Sequence, residues 1–267
     1  MADLLSYPFM QRALVGGILV GAMASYLGVF VVQRRLSFLG AGLSHAAFGG
    51  IALGLLLRFE PLTVAVPFTL VVALAINWVR RHTRLAGDTA VGVFFAVAVA
   101  LGLVFLSLRQ QISTDAFAYL FGSILAVSNT DIGVALAMSA VVLSTLPVLW
   151  GRWAYASFDP ESARADQLPV DRDDYLLFAF LAVTIVISVK VVGIVLMAAF
   201  LVIPAAAARL IAPTFVAMTW ISVAIGVLTA VGGLFVSYLA DVPSGATIVL
   251  VQAAVFFAAM FTRGRNG

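Results

Sequence analysis

Nine runs of apolar residues, each 17 to 24 long, dominate this chain of 267 residues: 9–32, 38–57, 62–79, 88–108, 131–150, 174–190, 193–211, 215–238 and 245–262. About 20 apolar residues in helical conformation cross a bilayer, because helices satisfy their own backbone polar groups where no water is present. A soluble fold is excluded on surface grounds. Only 10% of residues are charged and 63% are hydrophobic, against about a quarter charged in soluble domains. The chain has room for roughly eight to ten spans at that length and for no separate soluble domain. Residues 1–267 therefore read as a single transmembrane domain, all-α and polytopic, with about nine transmembrane helices.

The basic residues orient it. Arg34 and Arg35, then Arg80, Arg81 and Arg84, then Arg152, Arg164 and Arg172, then Arg209, Arg263 and Arg265 fall at alternate ends of successive spans. The other ends keep Arg12, Arg58, Arg109 and Lys190. The positive-inside rule then places the N-terminus outside and the C-terminus in the cytoplasm. The net charge of +3 sets topology in short loops, and no nucleic-acid partner is expected. Asp3 and the lack of a basic residue before Arg12 argue against a cleaved signal peptide, so the first run reads as a retained helix. The segment 114–129 is apolar but short and reads as a helix lying at the outer surface; as a tenth span it would reverse the parity. Gly17 with Gly21, and Gly50 with Gly54, stand four apart, the spacing that lets helix backbones approach closely. No repeat relates the two halves.

The longest polar stretch, 151–173, holds a helix signal of its own. Asp159 is a good N-cap, Pro160 suits the first helical position, Glu161 places negative charge in the first turn, and Pro169 stops the run. The expectation is a helix of about two turns over 160–168, too short to persist in water unless it docks on something.

That segment carries the first specific resemblance. Phe158-Asp159-Pro160-Glu161-Ser162-Ala163 resembles the coupling helix of the zinc/manganese/iron-type ABC transporter permease family. Four further motifs support it in chain order: RRLSFLGAGLSHAAFGGIALG (34–54), YLFGSIL (119–125), VGIVLMAAFLVIPAAAARL (192–210) and SYLADVPSGATIVL (237–250). The resemblance implies an ABC type II-like importer permease, with Asp159, Pro160, Glu161, Ser162, Ala163 and Arg164 coupling it to an ATPase through a helix at about 159–168. It also implies a second copy of the chain, a cytoplasmic ABC ATPase dimer and an extracytoplasmic metal-binding protein. No permanently bound cofactor is expected, and the transported ion would be zinc, manganese or ferrous iron. The family often has a glycine where this chain has Gln167. The only lysine is Lys190, followed by Val191, so the chain has no phosphate-binding loop and any ATP chemistry belongs to a partner.

Two histidines and no cysteine limit the metal chemistry. His45 lies about 10 Å into the second span at 1.5 Å per residue, and an ionisable group at that depth is a functional candidate. Neutral imidazole is a good ligand for zinc; hydrogen bonding to Ser44 or to a backbone carbonyl is the plainer alternative. Many relatives carry an aspartate one turn earlier, where this chain has Ala41, so only His45 carries over as a transient pathway site. The missing carboxylate favours zinc over manganese, which prefers oxygen ligands. His82, among arginines, reads as a loop residue, and Met197 as packing. Asp88, Asp115, Asp131 and Asp241 read as helix-end residues. A serine protease built on Ser244-Gly245 lacks a histidine predicted near it, and an autonomous carrier lacks paired intramembrane carboxylates.

Overall fold

In a computed structural model, residues 7–83, 85–108 and 127–263 are described. They form helices and no strand: α1 (Pro8–Gln33), α2 (Leu39–Leu57), α3 (Pro61–His82), α4 (Gly87–Ser107), α5 (Asn129–Ser144), α6 (Trp150–Phe158), α7 (Pro160–Ala165), α8 (Val170–Val192), α9 (Ile194–Ile211), α10 (Phe215–Ala240) and α11 (Ser244–Arg263). Arg84, Arg109, Asp115, Arg265 and most of the segment 114–129, with its YLFGSIL motif, lie outside the described residues.

Seven of these helices are long and apolar enough to cross a membrane: α1, α2, α3, α4, α8, α10 and α11. Two of the nine expected spans are shorter. The run 131–150 breaks after Ser144, where the Thr145 carbonyl accepts from Leu149 at 2.7 Å and from Val148 at 3.2 Å, closing a turn around Pro147. The run 193–211 forms α9, parted from α8 by Gly193 alone at φ 83°, as the narrow break in the sequence anticipated.

Packing sorts the helices into inner and outer. α1 is buried along most of its length against α5, α8, α9 and α10, while α2 lies among α3, α4 and α9. α3, α4, α10 and α11 turn residues such as Val71, Leu103, Leu228 and Leu250 outward, the surface a lipid solvent requires. Apolar burial gives little drive for helix association inside a bilayer, so close backbone contact and hydroxyl bonds must hold the bundle. Both occur. A Cβ on Gly50 would lie 2.6 Å from Ala65 Cα and one on Gly54 2.8 Å from Pro61 Cα, so this pair sets the α2–α3 crossing. Ser222 donates to the Ser25 carbonyl at 2.9 Å, tying α10 to α1.

Four helices end in a residue with positive φ that is not glycine: Arg35 (58°), Arg58 (59°), Gln167 (61°) and Asp241 (53°). The end of α7 shows the reason. Leu168 N–H donates to Ala163 O at 3.0 Å and Gln167 N–H to Arg164 O at 2.9 Å. This paired closure uses carbonyls the helix leaves free and needs a left-handed residue at Gln167. The helix is therefore shorter than the expected 160–168, and Asp166–Leu168 form its closing turn rather than its last turn.

Candidate functional site: the coupling segment, the charged layer beneath it, and His45

The predicted cap at Asp159 is present in full. Its carboxylate accepts from Glu161 N–H at 3.1 Å and Ser162 N–H at 2.9 Å, and the Ser162 hydroxyl donates to it at 2.6 Å. The Ser162 hydroxyl first, and then the backbone donors, hold the Asp159 carboxyl below the usual carboxylate range. Pro160 begins the helix and Glu161 sits exposed in its first turn. Ala163 faces inward, fully buried against Ala156, Leu168 and Val170. Six residues cannot hold a helix by themselves; this one is held by its cap, its closing turn and that apolar contact.

Sequence reading missed α6, the helix that carries α7. Within a stretch read as polar loop, Trp153, Ala154 and Ala156 fall on one buried face. Trp153 is fully buried, with its ring 5.4 Å from Phe30 and 5.9 Å from Phe180. The signal was the pair Trp150 and Trp153 at helical spacing. Tyr155, on the outer side, donates to Asp166 at 2.7 Å across the α6–α7 corner, and that bond raises its phenol above the ordinary range.

Beneath α6 and α7 lies a layer of ion pairs that the sequence reading also missed. Asp174 of α8 receives Arg34 from the end of α1, Arg80 at 2.8 Å and Arg81 at 3.5 Å from the end of α3. Asp173 takes a two-pronged bond from Arg152 at 2.9 and 2.6 Å. Asp171 pairs with Arg81 and, at 3.5 Å, with Arg164. Arg209 donates to the Val32 carbonyl at 3.1 Å at the same end. The arginines that sequence assigned to one face thus converge in space. Their acidic partners were legible as the run Asp171–Asp174 opening α8, where negative charge also suits the helix N-terminus.

His45 stands apart from this layer. It is half-buried on α2, with its ring 4.7 Å from that of Phe95 on α4, edge-on. Its Nδ1 lies 2.9 Å from the Ala41 carbonyl oxygen, one turn back on its own helix. A carbonyl only accepts, so Nδ1 carries the proton and the lone pair of the neutral ring is on Nε2. Among the described residues no group of three or more histidine, cysteine or acidic side chains is placed to hold a metal ion. At this position His45 offers a single imidazole nitrogen, Nε2, that is free of the backbone bond.

The remaining candidates sit in helix ends or in the core. His82 Nδ1 lies 2.9 Å from the Trp78 carbonyl and its ring stacks on that tryptophan. Met197 is buried in the main core. Asp88 sits in the first turn of α4. Asp131 forms a capping box with Ser128 and pairs with Lys190 at 2.7 Å, and Asp241 ends α10.

The profile of the ABC 3 transport family matches residues 6–263. The chain belongs to that family. As an ABC 3 permease it is a multi-pass transport subunit of a bacterial ABC transporter. It is 35% identical to the manganese transport system membrane protein MntC of Halalkalibacterium halodurans, over 99% of this chain and 91% of that one. It is 34% identical to the high-affinity zinc uptake system membrane protein ZnuB of Haemophilus influenzae, over 95% of this chain and 97% of that one. Among solved structures, PsaBC from Streptococcus pneumoniae in complex with Fab matches at TM-score 0.85 and 34% identity, covering 97% of this chain and 93% of that one. An inward-facing putative metal-chelate type ABC transporter shares the fold at TM-score 0.73 and 15% identity, covering 95% of this chain and 86% of that one.

Proposed function

We propose that this permease imports a divalent transition metal, zinc in the first place, driven by ATP hydrolysis in a partner chain. The observation that carries the reading is α7: a short capped helix, exposed at Glu161 and seated through Ala163, joined by Arg164 to the ion-paired ends of α3 and α8. A lever of this kind serves a partner that pushes on it. Asp159, Pro160 and Ser162 fix its shape, Glu161 and Arg164 meet the ATPase, and Ala163 transmits the load. The arginine-rich end is then cytoplasmic and the N-terminus lies outside. Two copies of the chain, an ATPase dimer and an external metal-binding protein form the working unit, and residues 1–267 act as one permease domain. ATP binding closes the ATPase dimer, moves the α7 helices and switches the permease pair between outward and inward access.

His45 is the pathway ligand, through Nε2. An imidazole without a carboxylate neighbour supports zinc over manganese. Manganese is the second reading, because relatives of similar identity carry manganese names as well as a zinc name. Total zinc, manganese and iron measured in cells lacking the gene, at limiting metal, tests the assignment. Loss of zinc alone, restored by the intact gene, supports it. Loss of manganese alone transfers the activity to the second reading, and no change in any metal overturns both.

A further inference from the structure

We infer that the cavity between α7 and the end of α3 binds the phosphate of an anionic phospholipid. The cavity, about 340 Å³, is lined by Arg34, Arg80, Arg81, Arg164, Ser157 and Asp174 among others. Four arginines line the cavity: Arg34, Arg80 and Arg81 face Asp174, and Asp171 adds a second carboxylate through its pairs with Arg81 and Arg164. Two positive charges are left over. Two charged donors are also unused: Arg80 Nε and Arg81 Nη1 are buried and make no hydrogen bond, although Arg81 Nη1 stands 3.5 Å from the Asp174 carboxylate. A buried donor without an acceptor is costly, and arginine's planar fork matches phosphate oxygens. The site is short of one anion with several acceptor atoms.

Its depth in the membrane selects the source of that anion. Arg80 and Arg81 lie in the last turn of α3, beside exposed Trp78 with His82 stacked on it at 4.9 Å. An exposed tryptophan at the end of a spanning helix marks the level of the lipid headgroups. Basic pockets between helices at that level take anionic headgroups. On the aqueous side, Pro160 and Arg164 of α7 form the wall. A headgroup phosphate is therefore favoured over a free anion from solution.

The intact permease, purified in detergent and delipidated, is titrated with phosphatidylglycerol or phosphatidylcholine while native mass spectrometry counts bound lipid. One phosphatidylglycerol per chain is expected at a concentration at least tenfold below that needed for phosphatidylcholine. Arg81→Gln is expected to weaken phosphatidylglycerol about tenfold, the loss of one charge-assisted bond. Arg164→Gln, whose side chain is 52% exposed and tolerates replacement without refolding the bundle, is expected to weaken it by a smaller factor. Equal retention of the two lipids, or unchanged phosphatidylglycerol affinity in both variants, overturns the inference. Displacement of phosphatidylglycerol by inorganic phosphate at comparable concentration overturns the lipid source. The readout is binding alone, so it stands or falls independently of which metal is carried.

Discussion

Asp174→Asn and Asp171→Asn remove one negative charge each from the same end of α8, and the structure separates their effects sharply. The Asp174 side chain is 11% exposed and faces three guanidinium groups, of which that of Arg34 is 7% exposed. Removing it leaves buried positive charges facing one another, a change that costs about 3–5 kcal/mol when one partner of a buried pair is deleted. Asp171 is 68% exposed, so water and salt already screen its pairs, and its loss should cost at most about 1 kcal/mol. Denaturant unfolding of the purified permease in detergent, followed by tryptophan fluorescence, measures both; Trp153, fully buried between Phe30 and Phe180, reports the packing next to the layer. Salt gives a second readout. Near 1 M the screening length falls to about 3 Å, so the Asp171 contribution should vanish while that of Asp174 persists. Equal destabilisation by the two variants, or a cost for Asp174→Asn within about 1 kcal/mol of zero, would refute the burial argument.

Gln167→Gly should stabilise the closing turn of α7. A left-handed residue with a Cβ costs about 1–2 kcal/mol and glycine gives back about 0.4–1 kcal/mol through the unfolded chain, so a net gain near 1 kcal/mol is expected, and a loss of stability counts against the turn as described. Glu161→Lys should leave the permease folded while separating ATP hydrolysis from uptake in the assembled transporter; uptake at the normal rate sinks the coupling role. His45→Ala should lower uptake of the transported metal without changing the amount of permease in the membrane, and unchanged accumulation removes His45 from the pathway. The Asp159 carboxyl is held below its ordinary range, so its cap contributes fully at and above the unfolded carboxyl's titration range and is lost only as pH falls through the lower folded value. Amide exchange at Glu161 and Ser162 should therefore be insensitive to pH between neutrality and mild acid once corrected for intrinsic rate; loss of protection in mild acid contradicts the cap.

Much of the fold was legible because its determinants are local. Apolar length marked the spans, and Asp159-Pro160 marked the start of α7 within one residue of its observed position. Gly50 and Gly54, chosen by spacing alone, do sit where α2 meets α3. What the sequence hid depends on partners far along the chain. The arginines of α1 and α3 were counted for topology, yet the carboxylate that gathers them, Asp174, is 140 residues from Arg34, and no local pattern links the two. α6 was hidden for a related reason. Its buried face is completed by Phe30 and Phe180 on other helices, so the nine-residue segment looked like loop until those partners were in place.

His45 shows the same limit from the other direction. Sequence singled it out correctly as an imidazole inside a span, but its useful property, a lone pair on Nε2, follows from the Ala41 carbonyl 2.9 Å from Nδ1. That carbonyl would be there with any side chain at position 41, since the bond is to the backbone of the helix itself. If His45 is the pathway ligand proposed above, alanine in place of the aspartate of the resembled family would remove an oxygen donor without disturbing the histidine. On that proposal, a helix that keeps its histidine oriented while losing the neighbouring oxygen donor would make a weaker and softer site. An Ala41→Asp variant isolates that consequence. It should shift uptake toward manganese relative to zinc and slow release of either ion, because a second ligand on the same helical face lengthens residence. A variant whose manganese-to-zinc ratio stays unchanged would mean that metal choice is made elsewhere than at His45.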